Sequence, residues 1–409
     1  MKKINFENIN IFLISILPIS IIIGSTVSLI TVVLLSFSCF YLIIFKTNFK
    51  SIMFDRTIIL LLIVYFYLII NSIISLDPQT GLARNLGFIR FIFLFLIINY
   101  LFKNNDNQKI VFNIWYIIIA IVVIDSFKEI ITGTNFLGYG GLYGNRILSF
   151  FKDEPVVAAF LNGFIFVISG YLLSKFKEKN FFYKIICIIS IILFITCVIF
   201  TGERSNTIKL LFGIAFLFSL NNYFSAKIKL FSITFLLFIS VIAISSSDYL
   251  QKRYLDQIID VTIGKKETLY FNLYKSGFEV FKQHPIFGVG NKNYRNETCN
   301  IDKLIQNEKY SCSTHPHQIY FEFLSEHGLV GTIILLSSFF YLIFRHFKMV
   351  IFTNNLLQLG SFVYLSTVFL PILPSGAFFN DFNSTLFWIN ISILYASNNQ
   401  TNIFLQRKI

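Results

Sequence analysis

Two histidines in the sequence HPHQ and one arginine in the sequence TGERSN are the residues best suited to chemistry. His315 and His317 precede a predicted helix, and a neutral imidazole accepts a proton from a hydroxyl group near pH 7. Arg204 stands beside a predicted helix N-terminus, which already favours anions. Guanidinium groups bind a diphosphate through paired hydrogen bonds and stabilise it as a leaving group. These residues therefore indicate transfer from a lipid-diphosphate donor to a hydroxyl acceptor.

The composition predicts an all-α integral membrane protein. Of the 409 residues, 55% are hydrophobic and 13% are charged, whereas a soluble chain would be about one quarter charged. The net charge of +13 could suggest nucleic-acid binding. Many of the basic residues fall in short loops beside apolar segments, however, as the positive-inside rule requires. We therefore expect membrane lipids as partners and no nucleic acid.

Twelve apolar segments are candidate membrane spans, each of which needs about 20 residues. They are residues 9–25, 27–45, 57–75, 87–102, 110–126, 155–174, 184–200, 207–223, 230–247, 328–345, 355–372 and 383–397. The first is interpreted as a retained helix, because no small-residue cleavage site ends it. The distribution of Lys and Arg predicts that both termini are cytoplasmic. The expected domains are 1–247 with nine spans, 248–327 as one large extracytoplasmic catalytic loop, and 328–409 with three spans.

Gly328 and Gly331 predict a break between the helix that follows His317 and the span 328–345. The polar loop holds two further predicted features. Residues Lys266 to Gln283 have the apolar periodicity of an amphipathic helix, which would lie on the bilayer or cap the helical bundle. Cys299 and Cys312 are expected to form a disulfide if the loop is extracytoplasmic. The alternatives are unpaired thiols and a zinc site with the two histidines of HPHQ, but zinc ligands are usually more closely spaced.

Other basic residues are candidate anion ligands. Lys209 follows Arg204 by about one helical turn and points to the same site. Arg146 and Lys152 lie in a glycine-rich loop, which is either a surface on the membrane or one wall of a cleft that faces an anion. Arg90 is predicted within the first turn of a span, where a charge is costly unless it is paired or faces water.

Several motifs together resemble the O-antigen ligase family. The run HPIFGVGNKNYR and the later CSTHPHQIYFEFLSEHGLVG are similar to the family's proline-GxG turn, its HxHN motif and the glycine-containing start of the next membrane helix. RILSFFKDEPVVAAFL resembles the family's region before its sixth helix, and TGERSN resembles the region after the seventh. The resemblance covers residues from about Arg146 to Gly331, and the rest of the chain agrees only in helix number and topology.

This resemblance implies a metal-independent, inverting glycosyltransferase of the GT-C type that needs no cofactor. It would move a glycan from undecaprenyl diphosphate to a lipid A-core sugar, a glycolipid acceptor, at the periplasmic face of the bacterial inner membrane. By position, His317 matches the second histidine of HxHN, which assists deprotonation of the acceptor hydroxyl. Arg204 matches an arginine that binds the donor diphosphate. His315 and Arg146 are further candidates.

The sequence departs from the family at two positions. Tyr270 stands where the family has an arginine in its long loop. The missing charge would come from Arg295, Arg253 or Lys275, and Arg295 is counted with the candidate diphosphate ligands. Gln318 stands where the family usually has asparagine, and its amide can make the same hydrogen bonds from a longer side chain.

Other functions are compatible with parts of this pattern. An O-antigen polymerase or a protein O-oligosaccharyltransferase would use the same chemistry with a different acceptor. A lipid-linked oligosaccharide flippase could also have twelve helices, but it would need charges along a central cavity and often has repeated halves. A structural membrane scaffold does not explain the positions of the HPHQ motif and the arginines.

Overall fold

The computed structural model describes residues 6–45, 52, 54–141, 146–152, 154–176, 178–222, 224–256 and 269–405, and all regular elements in these ranges are helical. The first ten α-helices are α1 (Phe6–Ser15), α2 (Leu17–Ile23), α3 (Ser25–Phe45), α4 (Arg56–Ile73), α5 (Pro78–Gly87), α6 (Ile89–Leu101), α7 (Asn105–Thr132), α8 (Val157–Ser174), α9 (Phe181–Phe200) and α10 (Arg204–Leu220). The others are α11 (Ala226–Ser245), α12 (Asp248–Gln251), α13 (Leu269–Gln283), α14 (Tyr294–Thr298), α15 (Ile301–Gln306), α16 (Ile319–Phe344), α17 (Phe347–Phe352), α18 (Leu356–Val368) and α19 (Asp381–Ala396).

Each of the twelve predicted segments contains a helix, but fewer helices qualify as membrane spans. Among the described residues, eight are long and apolar enough: α3, α4, α5 with α6, α7, α8, α9, α11, and α16 with α17. Helices α1 and α2 make a ninth if they act as one span, bent by 49°. Pro18 lies in the first turn of α2 and accounts for the bend, because proline cannot donate the hydrogen bond that would continue α1.

The predicted number of twelve spans is therefore not established. Helices α10, α18 and α19 have 17, 13 and 16 residues. The predicted segment 355–372 is longer than α18, which ends at Val368 shortly before Pro371 and Pro374, and proline disfavours the helical conformation of the residue before it. The structure thus shows an all-helical protein with multiple apolar helices that could cross a membrane.

Helices α8 and α18 form the centre of the bundle and approach each other closely at two glycines. A Cβ atom on Gly170 would lie 2.1 Å from the carbonyl oxygen of Leu356, and one on Gly360 would lie 2.2 Å from that of Phe166. Small residues allow this close backbone contact between membrane helices. The contact fixes the C-terminal end of α18 beside the N-terminal half of α8, where the cavity described below lies.

Helix α16 is interrupted at Gly328, as the glycines in its sequence predicted. Gly328 has φ 61° and ψ −168°, so the helical hydrogen bonds stop there. The turn from Pro285 to Gly290 fills the gap: the N–H groups of Leu329 and Val330 donate to carbonyl oxygens of this turn at 2.8 and 3.1 Å. The polar segment and α16 are therefore joined through their backbones.

The amphipathic helix is present as α13, and residues 266–268 of the predicted helix lie outside the described residues. Its buried side chains are Leu273, Ser276, Gly277 and Val280. A Cβ atom on Gly277 would lie 2.9 Å from Pro316, so α13 packs closely against the start of α16. Leu269 and Phe278 of the same helix are exposed.

A small lobe follows α13 and contains α14 and α15. Cys299 and Cys312 are joined by a disulfide. Inside the lobe, the carboxylate of Glu297 is buried and accepts hydrogen bonds from Lys303 and Tyr310. Burial raises the pKa of Glu297, but hydrogen bonds from His284 and Lys303 outweigh burial and lower it to about 2. The lobe is thus held together by a buried carboxylate and by one covalent bond.

Candidate active site

One cavity of about 560 Å³ collects five of the candidate residues. Arg146, Arg204, Lys209, Arg253 and His317 all line it. Its walls come from α8, α10, α13, α18 and α19, from the residues before α16, and from the loop that precedes α19. Residues that are far apart in the sequence therefore face one shared space.

Arg204 is the first residue of α10, and the preceding Glu203 is bonded to other residues. Glu203 accepts hydrogen bonds from the backbone N–H of Ala158 at 2.8 Å and from the side-chain amide of Asn206 at 2.8 Å. The carboxylate therefore caps the first turn of α8. Among the described residues, no ion pair joins Glu203 to Arg204, so the guanidinium group remains available to the cavity.

Burial raises the pKa of Glu203 to about 7, although hydrogen bonds and the charge of Arg146 oppose this shift. At neutral pH the carboxyl group is therefore only partly ionised. The other acidic residue that lines the cavity is Glu154, which is exposed. The arginines and Lys209 outnumber these acids, and the cavity has an excess of positive charge.

His317 is held by a backbone hydrogen bond and by a contact of its ring. Its φ angle is 57°, in the left-handed region that few residues other than glycine adopt. Its carbonyl oxygen accepts the N–H of Ser375 at 2.8 Å, and its ring lies 5.9 Å from the ring of Tyr270, centroid to centroid. Burial lowers the pKa of His317, so the imidazole is neutral at pH 7 and can accept a proton.

His315 and Gln318 support this arrangement and do not line the cavity. The centroids of the His315 and His317 rings are 4.0 Å apart, and Nδ1 of His315 is 2.9 Å from the hydroxyl of Thr314. Burial, followed by the neighbouring His317, lowers the pKa of His315 to about 4. Gln318 caps α16: its side-chain oxygen accepts the N–H groups of Tyr320 and Phe321 at 2.8 and 3.0 Å.

The three candidates for the missing loop charge lie in different places. Arg295 is exposed on α14 in the small lobe, and Lys275 is exposed on α13 with its ammonium group over the ring of Phe271. Neither residue lines the cavity, but Arg253 does, together with Tyr270. The sequence alone does not select Arg253, because its place depends on how the chain folds back after α11.

Arg90 and Asn380 have partners in the structure that the composition did not identify. Arg90 donates to Asp381 at 2.5 Å, so the predicted cost of a charge in this segment is offset by an ion pair. Asn380, the residue before Asp381, lines the cavity and caps α19 through the N–H of Asn383. Asn162 and Asn206 also line the cavity and were not candidates, because isolated amides give no signal in a single sequence.

A metal site has little support among the described residues. No group of three His, Cys, Asp or Glu side chains there could hold a metal ion. The zinc alternative required thiolates from Cys299 and Cys312, and these two residues are bonded to each other. The polar groups of the cavity are mainly cations and amides, which suit an anion better than a divalent cation.

Comparison with known proteins agrees with the motifs. A family model described as O-antigen ligase matches residues 189–336, which extend from α9 into α16 and include Arg204, Lys209 and His317. No curated protein matches the chain. The resemblance predicted from the HPHQ and TGERSN motifs is confirmed for residues 189–336, which match the O-antigen ligase family.

Proposed function

We propose that this protein is a glycosyltransferase that transfers a glycan from undecaprenyl diphosphate to a hydroxyl group of a lipid A-core sugar. In this proposal the cavity opens to the periplasmic side of the bacterial inner membrane and both termini are cytoplasmic. The observation that carries the proposal is the shared cavity of Arg204 and His317. The cavity combines an anion-binding group and a neutral base, which are the two groups that this reaction needs.

The donor diphosphate would bind to Arg146, Arg204 and Lys209. These cations come from a loop, from the first residue of α10 and from a position about one turn further along α10. Charge-assisted hydrogen bonds from guanidinium groups to phosphate oxygens are among the strongest in proteins. They stabilise the leaving diphosphate more than the bound donor, because negative charge accumulates on it as the glycosidic bond breaks.

In the acceptor step, His317 is the base that takes the proton of the acceptor hydroxyl. The acceptor oxygen forms a bond to the anomeric carbon of the donor sugar, while the bond from that carbon to the diphosphate breaks. The diphosphate leaves with the electron pair, and the imidazole takes the proton of the acceptor hydroxyl. Attack opposite to the leaving group inverts the configuration. The proton then passes from His317 to solvent, and no metal ion is needed to balance the charges.

The decisive experiment measures glycan transfer by the purified protein from a lipid-diphosphate donor to a lipid A-core acceptor. His317→Asn is the preferred variant, because asparagine tolerates the left-handed conformation of this position. We expect His317→Asn and Arg204→Gln each to reduce kcat/KM at least about a hundredfold. Full activity of His317→Asn would overturn the mechanism.

Matched controls separate these roles from general damage. His284→Asn changes a half-buried histidine that hydrogen-bonds Glu297, and Arg295→Gln changes an exposed arginine of the small lobe; neither residue lines the cavity. Both variants should keep more than about half of the activity, because neither side chain reaches the cavity. Loss of activity in Arg295→Gln would instead restore Arg295 as a diphosphate ligand.

The acceptor distinguishes this function from two related functions that use the same chemistry. Glycolipids from a strain that lacks the gene would contain unligated long polymer if the protein is a ligase. Single repeats would indicate an O-antigen polymerase, and underglycosylated proteins would indicate a protein O-oligosaccharyltransferase. The cavity is compatible with all three acceptors, because its cations act on the donor.

A further inference from the structure

A buried carboxylate lies close to the cavity and takes no part in the proposed reaction. Glu322 is in the first turn of α16, shortly after His317, and only 2% of its surface is exposed. Among the described residues it forms no ion pair. Removing a carboxylate from water without a paired cation is costly. Its hydrogen bonds therefore indicate what the carboxylate does.

The carboxylate of Glu322 binds the backbone of the loop that precedes α19. Its two oxygens accept the N–H of Phe378 at 2.9 and 3.0 Å, and the N–H of Phe379 is a second donor. The carbonyl oxygen of Phe378 accepts the hydroxyl of Ser384 on α19 at 2.9 Å. Hydrogen bonds to a carboxylate are stronger than those between neutral groups. Glu322 therefore attaches this loop to α16.

The same loop forms one wall of the cavity and contacts His317. We call residues 374–380 the cavity loop. Its residues that line the cavity are Pro374, Ser375, Gly376, Phe378 and Asn380. The N–H of Ser375 donates to the carbonyl oxygen of His317 at 2.8 Å, and the N–H of Glu322 donates to that of Gln318 at 2.9 Å. His317 and Glu322 are thus connected along α16 and, separately, through the cavity loop.

The position of His317 depends on contacts outside its own helix. Its φ angle is 57°, in a region that few residues other than glycine adopt, and it precedes α16. The cavity loop has no helical hydrogen bonds of its own, so its place depends on the groups that bind it from α16 and α19. A misplacement of about 1 Å between reacting groups can reduce a rate about a hundredfold. A loosened cavity loop would therefore affect the imidazole.

We propose that Glu322 is a positioning residue, which holds the cavity loop against α16 and thereby fixes the imidazole of His317 relative to the acceptor hydroxyl. This inference rests on the proposed function and adds a residue that does not line the cavity. Glu322 takes no proton from the substrate. Its role requires acceptor oxygens for backbone N–H groups at the right distance, and it does not require a charge that faces the cavity.

The test compares three side chains of similar size at position 322. Glu322→Gln keeps one oxygen that can accept the N–H of Phe378, whereas Glu322→Leu removes both acceptors. Glycan transfer is measured with the full-length protein in lipid nanodiscs. We expect kcat to fall about threefold in Glu322→Gln and at least about thirtyfold in Glu322→Leu. The KM for the donor should stay within about twofold, because the cations of the donor site lie outside the cavity loop.

The order of the two variants separates positioning from other roles of Glu322. If its carboxylate took a proton or acted through its charge, Glu322→Gln would be as impaired as Glu322→Leu. If the side chain only filled space, Glu322→Leu would keep the wild-type kcat. Either result would overturn the inference. Rates are expressed per mole of protein that remains folded at the assay temperature, so that unfolding does not count as lost activity.

Glu326→Gln is the matched control, because Glu326 is also buried on α16. Its carboxylate accepts the N–H of Tyr294 in the small lobe at 3.4 Å, and neither residue lines the cavity. We expect the kcat of Glu326→Gln to stay within about twofold of the wild type. A loss as large as that of Glu322→Leu would overturn the inference, since it would indicate a general effect of changing a buried carboxylate of α16.

Hydrogen exchange separates this inference from the proposed function. The N–H groups of Phe378 and Phe379 should exchange at least about tenfold faster in Glu322→Leu than in the wild type. Faster exchange in a protein that transfers no glycan would support the attachment of the cavity loop and contradict the function. Wild-type kcat in Glu322→Leu would support the function and contradict this inference. Unchanged exchange in the cavity loop would also overturn it.

Discussion

Gly288 and Gly328 lie in van der Waals contact with each other's chain segments, and neither position has room for a side chain. A Cβ atom on Gly288 would lie 2.4 Å from the carbonyl carbon of Glu326, and one on Gly328 would lie 2.4 Å from that of Ile286. Their φ angles are 67° and 61°. The two glycines therefore let the turn at 285–290 replace the missing helical turn of α16, directly after the segment that carries His317.

Gly288→Ala should destabilise the protein strongly. The left-handed conformation alone costs about 1 kcal/mol for alanine, and the backbone overlap with Glu326 adds to it, so we expect a loss of about 3 kcal/mol or more. Gly133→Ala is the control, because Gly133 has φ 80° but no atoms within 4 Å of its Cβ position. It should lose only about 1 kcal/mol in the same unfolding measurement. Equal losses would contradict the role assigned to the contact.

The sequence predicted the helices, the interruption at Gly328 and the start of the helix after His317, because hydropathy, glycine and proline act locally. The convergence of Arg204 and His317 was predicted only through the family resemblance. The choice of Arg253 over Arg295 or Lys275 was not predictable, since it depends on how one segment docks on α10. The short length of α18 and the left-handed conformation of His317 also depend on tertiary contacts.

Arg90→Met should destabilise the bundle, because it leaves Asp381 without its ion-pair partner. Arg90 and Asp381 are 2.5 Å apart with side chains only 13% and 17% exposed, and a single replacement leaves one poorly solvated charge, at a cost of about 3 kcal/mol. The double variant Arg90→Met, Asp381→Leu should lose less than the sum of the single changes. Lys109→Met, in the exposed pair with Asp106, should change the free energy of unfolding by less than about 1 kcal/mol. Strict additivity at Arg90 and Asp381 would show that the pair contributes nothing.

Replacing Cys299 and Cys312 by serine should loosen the small lobe and spare the cavity. The bridge spans 13 residues, and closing a loop of this size restricts the unfolded chain by about 3 kcal/mol in the chain-entropy model. Hydrogen exchange over residues 299–312 should become faster, whereas the Kd for pyrophosphate should stay within about twofold, because no residue of this stretch lines the cavity. Dithiothreitol should affect the wild type in the same way and leave the double variant unchanged. A large loss of pyrophosphate binding would contradict the separation of lobe and site.

The pH dependence of kcat should report the imidazole of His317. Burial lowers its pKa below the usual 6.5, so the neutral base is present at pH 7 and is lost only as the pH falls through the lowered value. We expect the acidic limb of log kcat to have unit slope and a midpoint below pH 6.5. In His317→Asn the residual rate should lack this limb. An unchanged limb in that variant would assign the proton transfer to another group.

The KM for the donor should increase as the pH rises above neutral, because Glu203 then ionises. Its pKa is raised by burial to about 7, so the group is mostly neutral at pH 6 and mostly ionised at pH 8. Ionisation places a negative charge near Arg146 and opposes the bound diphosphate, whose own charge is constant over this range. We expect KM to be about threefold higher at pH 8 than at pH 6, the size of one weak charge interaction. Glu203→Gln, which keeps an acceptor for the N–H of Ala158, should abolish the rise in KM. Glu154→Gln is the control and should retain it. A rise that persists in Glu203→Gln would show that another group titrates.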